Sequence, residues 1–209
     1  MKRQQPIQQW MILITYRIRQ GAEADGYDEW LRTVDNPFFN RFKAIAHYTN
    51  WKVAASTSPV PFTHVDFLVI DNVEDLEMLW FNPDLDTFRK KWVEMWGITP
   101  PDRINSNCHL CVEEEGGIGL PKNNHVLLLP APANPVPDGA SLWSVRELVR
   151  KHYVLGPNDS WRTDALDEAF YKDFYLQYSD KPISIVELGQ YALQGSASAL
   201  SCELIASPD

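Results

Sequence analysis

The chain has 209 residues, enough for one large domain or two of roughly 100 residues each. Its 44% apolar and 22% charged residues exclude a disordered, collagenous or disulfide-framed chain, and a net charge of −9 with no basic block argues against a nucleic-acid footprint. The apolar runs, such as residues 10–14 and 126–129, are far short of the roughly 20 that a membrane span needs. The opening MKRQQPIQQW lacks the apolar stretch of an export signal, and with three cysteines a reducing cytoplasm is the expected compartment.

Residues 10–19 (WMILITYRIR) predict a buried strand closed by Gln20-Gly21. Residues 24–34 carry Tyr27, Trp30, Leu31 and Val34 at helical spacing, with an end expected before Pro37. Residues 45–53 (IAHYTNWKV) read as a second strand and, after a Ser/Thr/Pro-rich turn, residues 62–70 (FTHVDFLVI) as a third. Asp71-Asn72 can cap the next helix, and Asn82-Pro83 marks a break and a fresh start. Leu85, Phe88, Trp92 and Met95 then form one apolar face, stopped by Gly97 and Pro100-Pro101. Residues 107–113 (NCHLCVE) supply a fourth strand. The order is βαββαβ, a ferredoxin-like unit with two helices on one face of a four-stranded sheet and the other face needing cover.

Residues 113–124 (EEEGGIGLPKNN) have linker composition, which divides the chain into a first half, 1–115, a linker, 116–124, and a second half, 125–209. The second half is expected to repeat the order of the first. Residues 125–131 read as a strand. Leu142, Val145, Leu148 and Val149 begin a helix capped by Ser141. A weak strand at 160–165, a strong one at 170–178, a helix at 183–193 ended by Gly195 and a strand at 200–206 complete it. The fold class expected is therefore α+β, with tandem ferredoxin-like halves.

The segments ITYRI (14–18), VDNPFFN (34–40), YTNWKV (48–53) and FTHVDF (62–67) carry a family likeness. Over residues 10–115 the chain resembles the RedY-like (HapK-like) family of the dimeric α+β barrel superfamily, associated with prodigiosin-type pigment and other secondary-metabolite gene clusters. The resemblance implies two ferredoxin-like sheets closing a barrel around a ligand cavity, here within one chain as a monomeric pseudo-dimer or with a second copy as a homodimer. Barrel relatives include cyclases, isomerases, haem-degrading enzymes and cofactor-free monooxygenases, so fold alone does not select a chemistry.

Polar residues inside apolar strands are the chemical signal. Period two in residues 62–70 puts Thr63, Val65, Phe67 and Val69 on one face, assigned to the helices, and His64 and Asp66 on the other, assigned to the concave face. A carboxylate two residues from an imidazole can orient it as a general base; the alternative is a hydrogen-bonded core pair, or Asp66 paired with Arg17. On the second strand, Tyr48 and Asn50 share one face and His47, Thr49 and Trp51 the other. If the first pair faces the cavity, it can hydrogen-bond a carbonyl or enolate oxygen; otherwise Tyr48 packs at a barrel end and Asn50 caps a turn. Tyr16, Asn36, Phe39, Trp51 and His109 are ligand-contact candidates, with a core role the alternative for His109 and helix capping for Asn36. Cys108 and Cys111 lie three apart on a strand and point to opposite faces, against a shared metal. No nucleotide or flavin motif is present, so no cofactor and no metal are expected.

The expectation is a cofactor-independent enzyme of secondary metabolism, cyclase- or isomerase-like, acting on a hydrophobic aromatic or polyketide-like molecule. His64 would be the base, Asp66 its orienting group, and Tyr48 or Asn50 the stabiliser of developing charge. The rivals are a non-catalytic small-molecule carrier or accessory protein, favoured if His64 and Asp66 face the helices, and a cofactor-free monooxygenase.

Overall fold

The computed structural model describes residues 8–98, 106–116, 119–121, 123–133, 135–149, 162–163, 170–191 and 198–208. In the first half, β1 (Trp10–Tyr16), β2 (Ile45–Ser56), β3 (His64–Ile70) and β4 (Ser106–Glu115) run in the order β4-β1-β3-β2, every neighbour antiparallel. Helical turns α1 (Tyr27–Trp30) and α2 (Asn36–Asn40) connect β1 to β2, and α3 (Leu76–Trp80) and α4 (Pro83–Trp96) follow β3. This is the expected βαββαβ order.

The helix does not stop before Pro37. A π-helical turn, Leu31–Asp35, joins α1 to α2, and Pro37 sits in the first turn of α2, where a missing N–H costs little. Asn82 caps α4 through its side chain, which accepts from the Asp84 N–H, and Pro83 opens the helix as its Asn-Pro signal implies. Of the apolar face read for α4, Leu85 is buried while Met95 is exposed.

The second half contains β5 (His125–Pro130), β6 (Ser141–Val149), β7 (Arg162–Thr163), β8 (Asp173–Ser179), α5 (Ile185–Tyr191) and β9 (Leu200–Ala206). The helix expected from Leu142 onward is strand β6. Ser141, Trp143 and Val145 are buried at period two, and β6 pairs with β8 at one end and with β4 along its length. Two strand partners decide the matter against a helical spacing that Leu142, Val145, Leu148 and Val149 happen to satisfy. Of the weak strand read at 160–165, only Arg162–Thr163 is described, paired to β6. Gly195 lies outside the described residues. No helix joins β5 to β6 among the described residues, so this half is not a second copy of the first in its elements.

The halves meet twice. β9 pairs with β2, and β6 pairs with β4 from Cys108↔Val149 to Glu115↔Leu142, closing eight strands, β4-β1-β3-β2-β9-β5-β8-β6, into a barrel within one chain. Its lumen is filled by Met11, Leu13, Trp51, Val65, Phe67, Val69, Cys111, Val126, Leu128, Trp143, Phe174 and Leu200. A second apolar layer lies between the first-half strands and α2–α4, with Ile12, Tyr48, Leu68, Leu79, Trp80, Leu85 and Leu110.

These layers reverse the faces assigned to β3. Val65, Phe67 and Val69 fill the lumen, and Asp66 and Leu68 face the helices. The closed barrel needs bulky apolar side chains from every strand, whereas the helix side can bring polar partners to a buried acid. Among the described residues no helix is long and apolar enough to cross a membrane.

Candidate functional site

The helix-facing side of β1, β2 and β3 gathers Tyr16, Tyr48, Asn50 and Asp66, all buried. Asp66 is the centre of the group. The Tyr48 hydroxyl donates to its Oδ2 at 2.6 Å, and Asn50 Nδ2 and the Tyr16 hydroxyl donate to its Oδ1 at 3.1 and 3.3 Å. Behind Tyr16 the chain of donors continues: Trp92 Nε1 donates to the Tyr27 hydroxyl, and that hydroxyl donates to Tyr16, each at 3.1 Å. Every O–H and N–H in the series points toward the carboxylate.

The π-turn adds a residue that sequence reasoning missed. Asp35 lies beside Asn50, whose Nδ2 donates to Asp35 Oδ2 at 2.9 Å. Its signal was present in the DNPFFN segment, but a surface helix end was the natural expectation for an acid before Pro37. Asn36 is no helix cap. It donates to the Tyr48 carbonyl at 2.9 Å and to Asn50 Oδ1 at 3.0 Å, fixing which way the Asn50 amide points. Asn40 pairs with both the N–H and the C=O of Tyr48, so α2 is fastened to β2 by side chains.

Burial dominates the electrostatics. It raises Asp35 to about 7 against the hydrogen bonds from Asn50 and Tyr48. It raises Asp66 well above the usual carboxylate range, the charge of Asp35 adding to the effect and its three donors opposing it. Tyr16, Tyr27 and Tyr48 are pushed up by burial and by the same acids, so all three remain protonated donors.

Against this group lies a cavity of about 70 Å³ between the sheet and the helices. Tyr16, Asp35, Tyr48 and Asp66 form its polar end. Ile14, Phe39, Leu68, Leu79, Trp80, Leu85, Phe88, Trp92 and Cys108 make the apolar walls, with Arg89 also on the lining. The Arg89 guanidinium lies 3.9 Å over the Trp80 ring and donates to the Trp80 carbonyl.

Of the residues singled out from sequence, Asp66, Tyr48, Tyr16 and Phe39 line this cavity, and Asn50 and Asn36 stand behind them. His64 does not take its orientation from Asp66. Its Nδ1 meets Thr63 Oγ1 at 2.9 Å, Nε2 has no partner, and the ring stacks on Tyr16. Burial pushes its pKa down to about 4, with Glu23 opposing and Lys52 reinforcing the shift. Trp51 and His109 belong to the lumen side. Trp51 packs on Phe67 and Tyr178 and donates to Thr49 Oγ1. Cys108 lies in the helix-side layer and Cys111 in the lumen, and among the described residues no group of three or more His, Cys, Asp or Glu is arranged to hold a metal.

The class this defines is a one-chain antiparallel barrel with helices packed outside its strands and a buried carboxylate at the end of an aromatic cavity. Residues 10–101 match the family model described as REDY-like protein HapK, so the resemblance carried by VDNPFFN, YTNWKV and FTHVDF holds for the first half of the chain. No curated protein matches the chain. A solved structure described as a candidate chlorite dismutase, TA0507, is similar at 10% identity over 94% of this chain and 94% of that one, with a TM-score of 0.49.

Proposed function

We propose that the protein is a cofactor-independent acid–base enzyme of secondary metabolism, cyclase- or isomerase-like, whose ligand is a hydrophobic aromatic molecule that enters the cavity of about 70 Å³ between sheet and helices by its reacting edge. The observation that carries this reading is Asp66: a buried carboxylate, its pKa raised well above the usual carboxylate range by burial, at the polar end of a cavity walled by Phe39, Trp80, Phe88 and Trp92. Asp66 is the base in place of His64, whose free ring nitrogen belongs to a residue off the cavity lining. Tyr48 and Asn50 direct their donors at the acids and so tune the base, a different role from holding a substrate oxyanion. The C-terminal strands are read as a diverged repeat, supported by the order β9-β5-β8-β6, which parallels β4-β1-β3-β2.

The test is deuterium exchange at the α-carbon of 2-tetralone in D2O, followed by proton NMR. The full-length protein is expected to accelerate it, and Asp66→Asn to lower the rate by about 10²-fold or more. Exchange by the wild type no faster than by the variant would sink the enzyme reading. A second reading, a non-catalytic carrier, is favoured by the placement of Asp66 on the helix side and by the absence of a bond between it and His64.

A further inference from the structure

The proposed function uses one carboxylate, yet the cavity has two. Asp35 is delivered by the π-turn from the helical side and Asp66 by β3 from the sheet, and both line the cavity. Asn50 Nδ2 bridges them, 2.9 Å from Asp35 Oδ2 and 3.1 Å from Asp66 Oδ1. An amide nitrogen has two hydrogens, and this one also reaches the Tyr48 hydroxyl at 3.1 Å, so its donors are spread over the acids and their shared neighbour. Both acids are buried, and neither is in an ion pair among the described residues. Burial disfavours charge on both, and the charge of Asp35 disfavours it further on Asp66.

We propose that Asp35 is the second catalytic group of this site, holding one proton jointly with Asp66 so that one aspartate acts as base while the other acts as acid on the same edge of the ligand. This deepens the proposed function and rests on its reading of the cavity as the ligand site. The ligand class follows from which donors remain. Tyr16, Tyr48 and Asn50 aim theirs at carboxylate oxygens, so at the polar end the ligand meets one carboxyl O–H and unshared carboxylate lone pairs, with the Arg89 guanidinium, stacked on Trp80, elsewhere on the lining. The complement is an aromatic carbonyl compound with an acidic C–H or N–H adjacent to the C=O. The charged aspartate takes the proton as that bond breaks, its electron pair moves to form the new double bond, and the carbonyl oxygen receives the proton of the other aspartate. The ligand leaves as its tautomer, the pair again holds one proton, now on the opposite aspartate, and nothing is oxidised or reduced.

The test is a carbon NMR titration of the full chain labelled at the aspartate carboxyl carbons, compared with Asp35→Asn, Asp66→Asn and Asn50→Ala. In the wild type the two carboxyls should titrate in two separated steps that both signals sense. In Asp35→Asn, the titration of Asp66 should fall by more than about one pH unit below the wild-type upper step. Asn50→Ala, which removes the shared donor while keeping both acids, should raise that upper step and serves if Asp35→Asn does not fold. Asp35→Asn should also lower 2-tetralone exchange by about 10²-fold or more. An Asp66 titration unmoved by Asp35→Asn overturns the pair even if exchange is observed. Coupled titration without any exchange by the wild type instead sinks the enzyme reading, and the catalytic role of Asp35 with it.

Discussion

His109→Leu isolates the cost of a titratable group sealed in the barrel lumen. His109 lies on β4 opposite Leu13 of β1 and Leu148 of β6 and is 1% exposed; neither ring nitrogen makes a well-formed hydrogen bond, and a backbone group of Leu13 only partly opposes the effect of burial. Burial pushes its pKa from 6.5 down to about 4. Between those values the unfolded chain binds a proton that the folded one refuses, so stability falls as pH drops from 6.5 toward 4. Integrated, the loss is about 2 kcal/mol by pH 5 and about 3 kcal/mol by pH 4. Leucine also removes two unsatisfied nitrogens, whose burial costs on the order of 1–3 kcal/mol, so the variant should be at least as stable at pH 7.5. Urea unfolding followed by tryptophan fluorescence at pH 7.5, 6 and 5 reads the difference directly. His64, shifted down to about 4 in the same sense, is common to both chains and cancels. The gap should widen by about 2 kcal/mol from pH 7.5 to pH 5. A constant gap would refute the reasoning, because it would mean that His109 protonates equally in both states.

Two further substitutions probe the lumen and the site on the helix side of the sheet. Phe67→Ala should cost about 3–5 kcal/mol in chemical denaturation, since its fully buried ring packs on Trp51 inside the lumen; a loss below about 1 kcal/mol would mean the lumen collapses around the gap. Tyr48→Phe removes the 2.6 Å donor to Asp66 while leaving its backbone bonds to Asn40, so the carboxyl should titrate higher by NMR with the fold retained by circular dichroism; an unchanged titration would show that Tyr48 does not tune the acid.

The first half was legible because its signals are local. Asn82-Pro83 announces a helix start, and the alternation in residues 62–70 announces a strand whatever its partners. Which side of that strand meets the helices was not, since alternation defines two faces without naming them. The barrel decides: a lumen closed on itself takes Val65, Phe67 and Val69, leaving Asp66 on the helix side with Tyr16 of β1 and Tyr48 and Asn50 of β2 as its donors. Asp35 was hidden for the same reason. Its role depends on one extra residue of helical winding, which places it over Asn50, and no sequence period records such a turn. In the second half, Leu142 to Val149 satisfied helical spacing while adjacent strands on both sides imposed a two-residue repeat. Tertiary pairing outranked periodicity there.

Closure of the barrel through β4 and β6 also means that the barrel wall is completed without a second chain. A barrel assembled from two chains comes apart on dilution, whereas one sealed by its own polypeptide has an unfolding equilibrium that dilution leaves unchanged. Joining the two sheets in one chain removes a constraint of symmetry as well. In a two-fold dimer each substitution occurs twice, once in each wall, but here Asp66 can change while the facing wall keeps its residues. One wall can thereby carry the two buried aspartates, while the other crosses from β5 to β6 through a proline-rich segment.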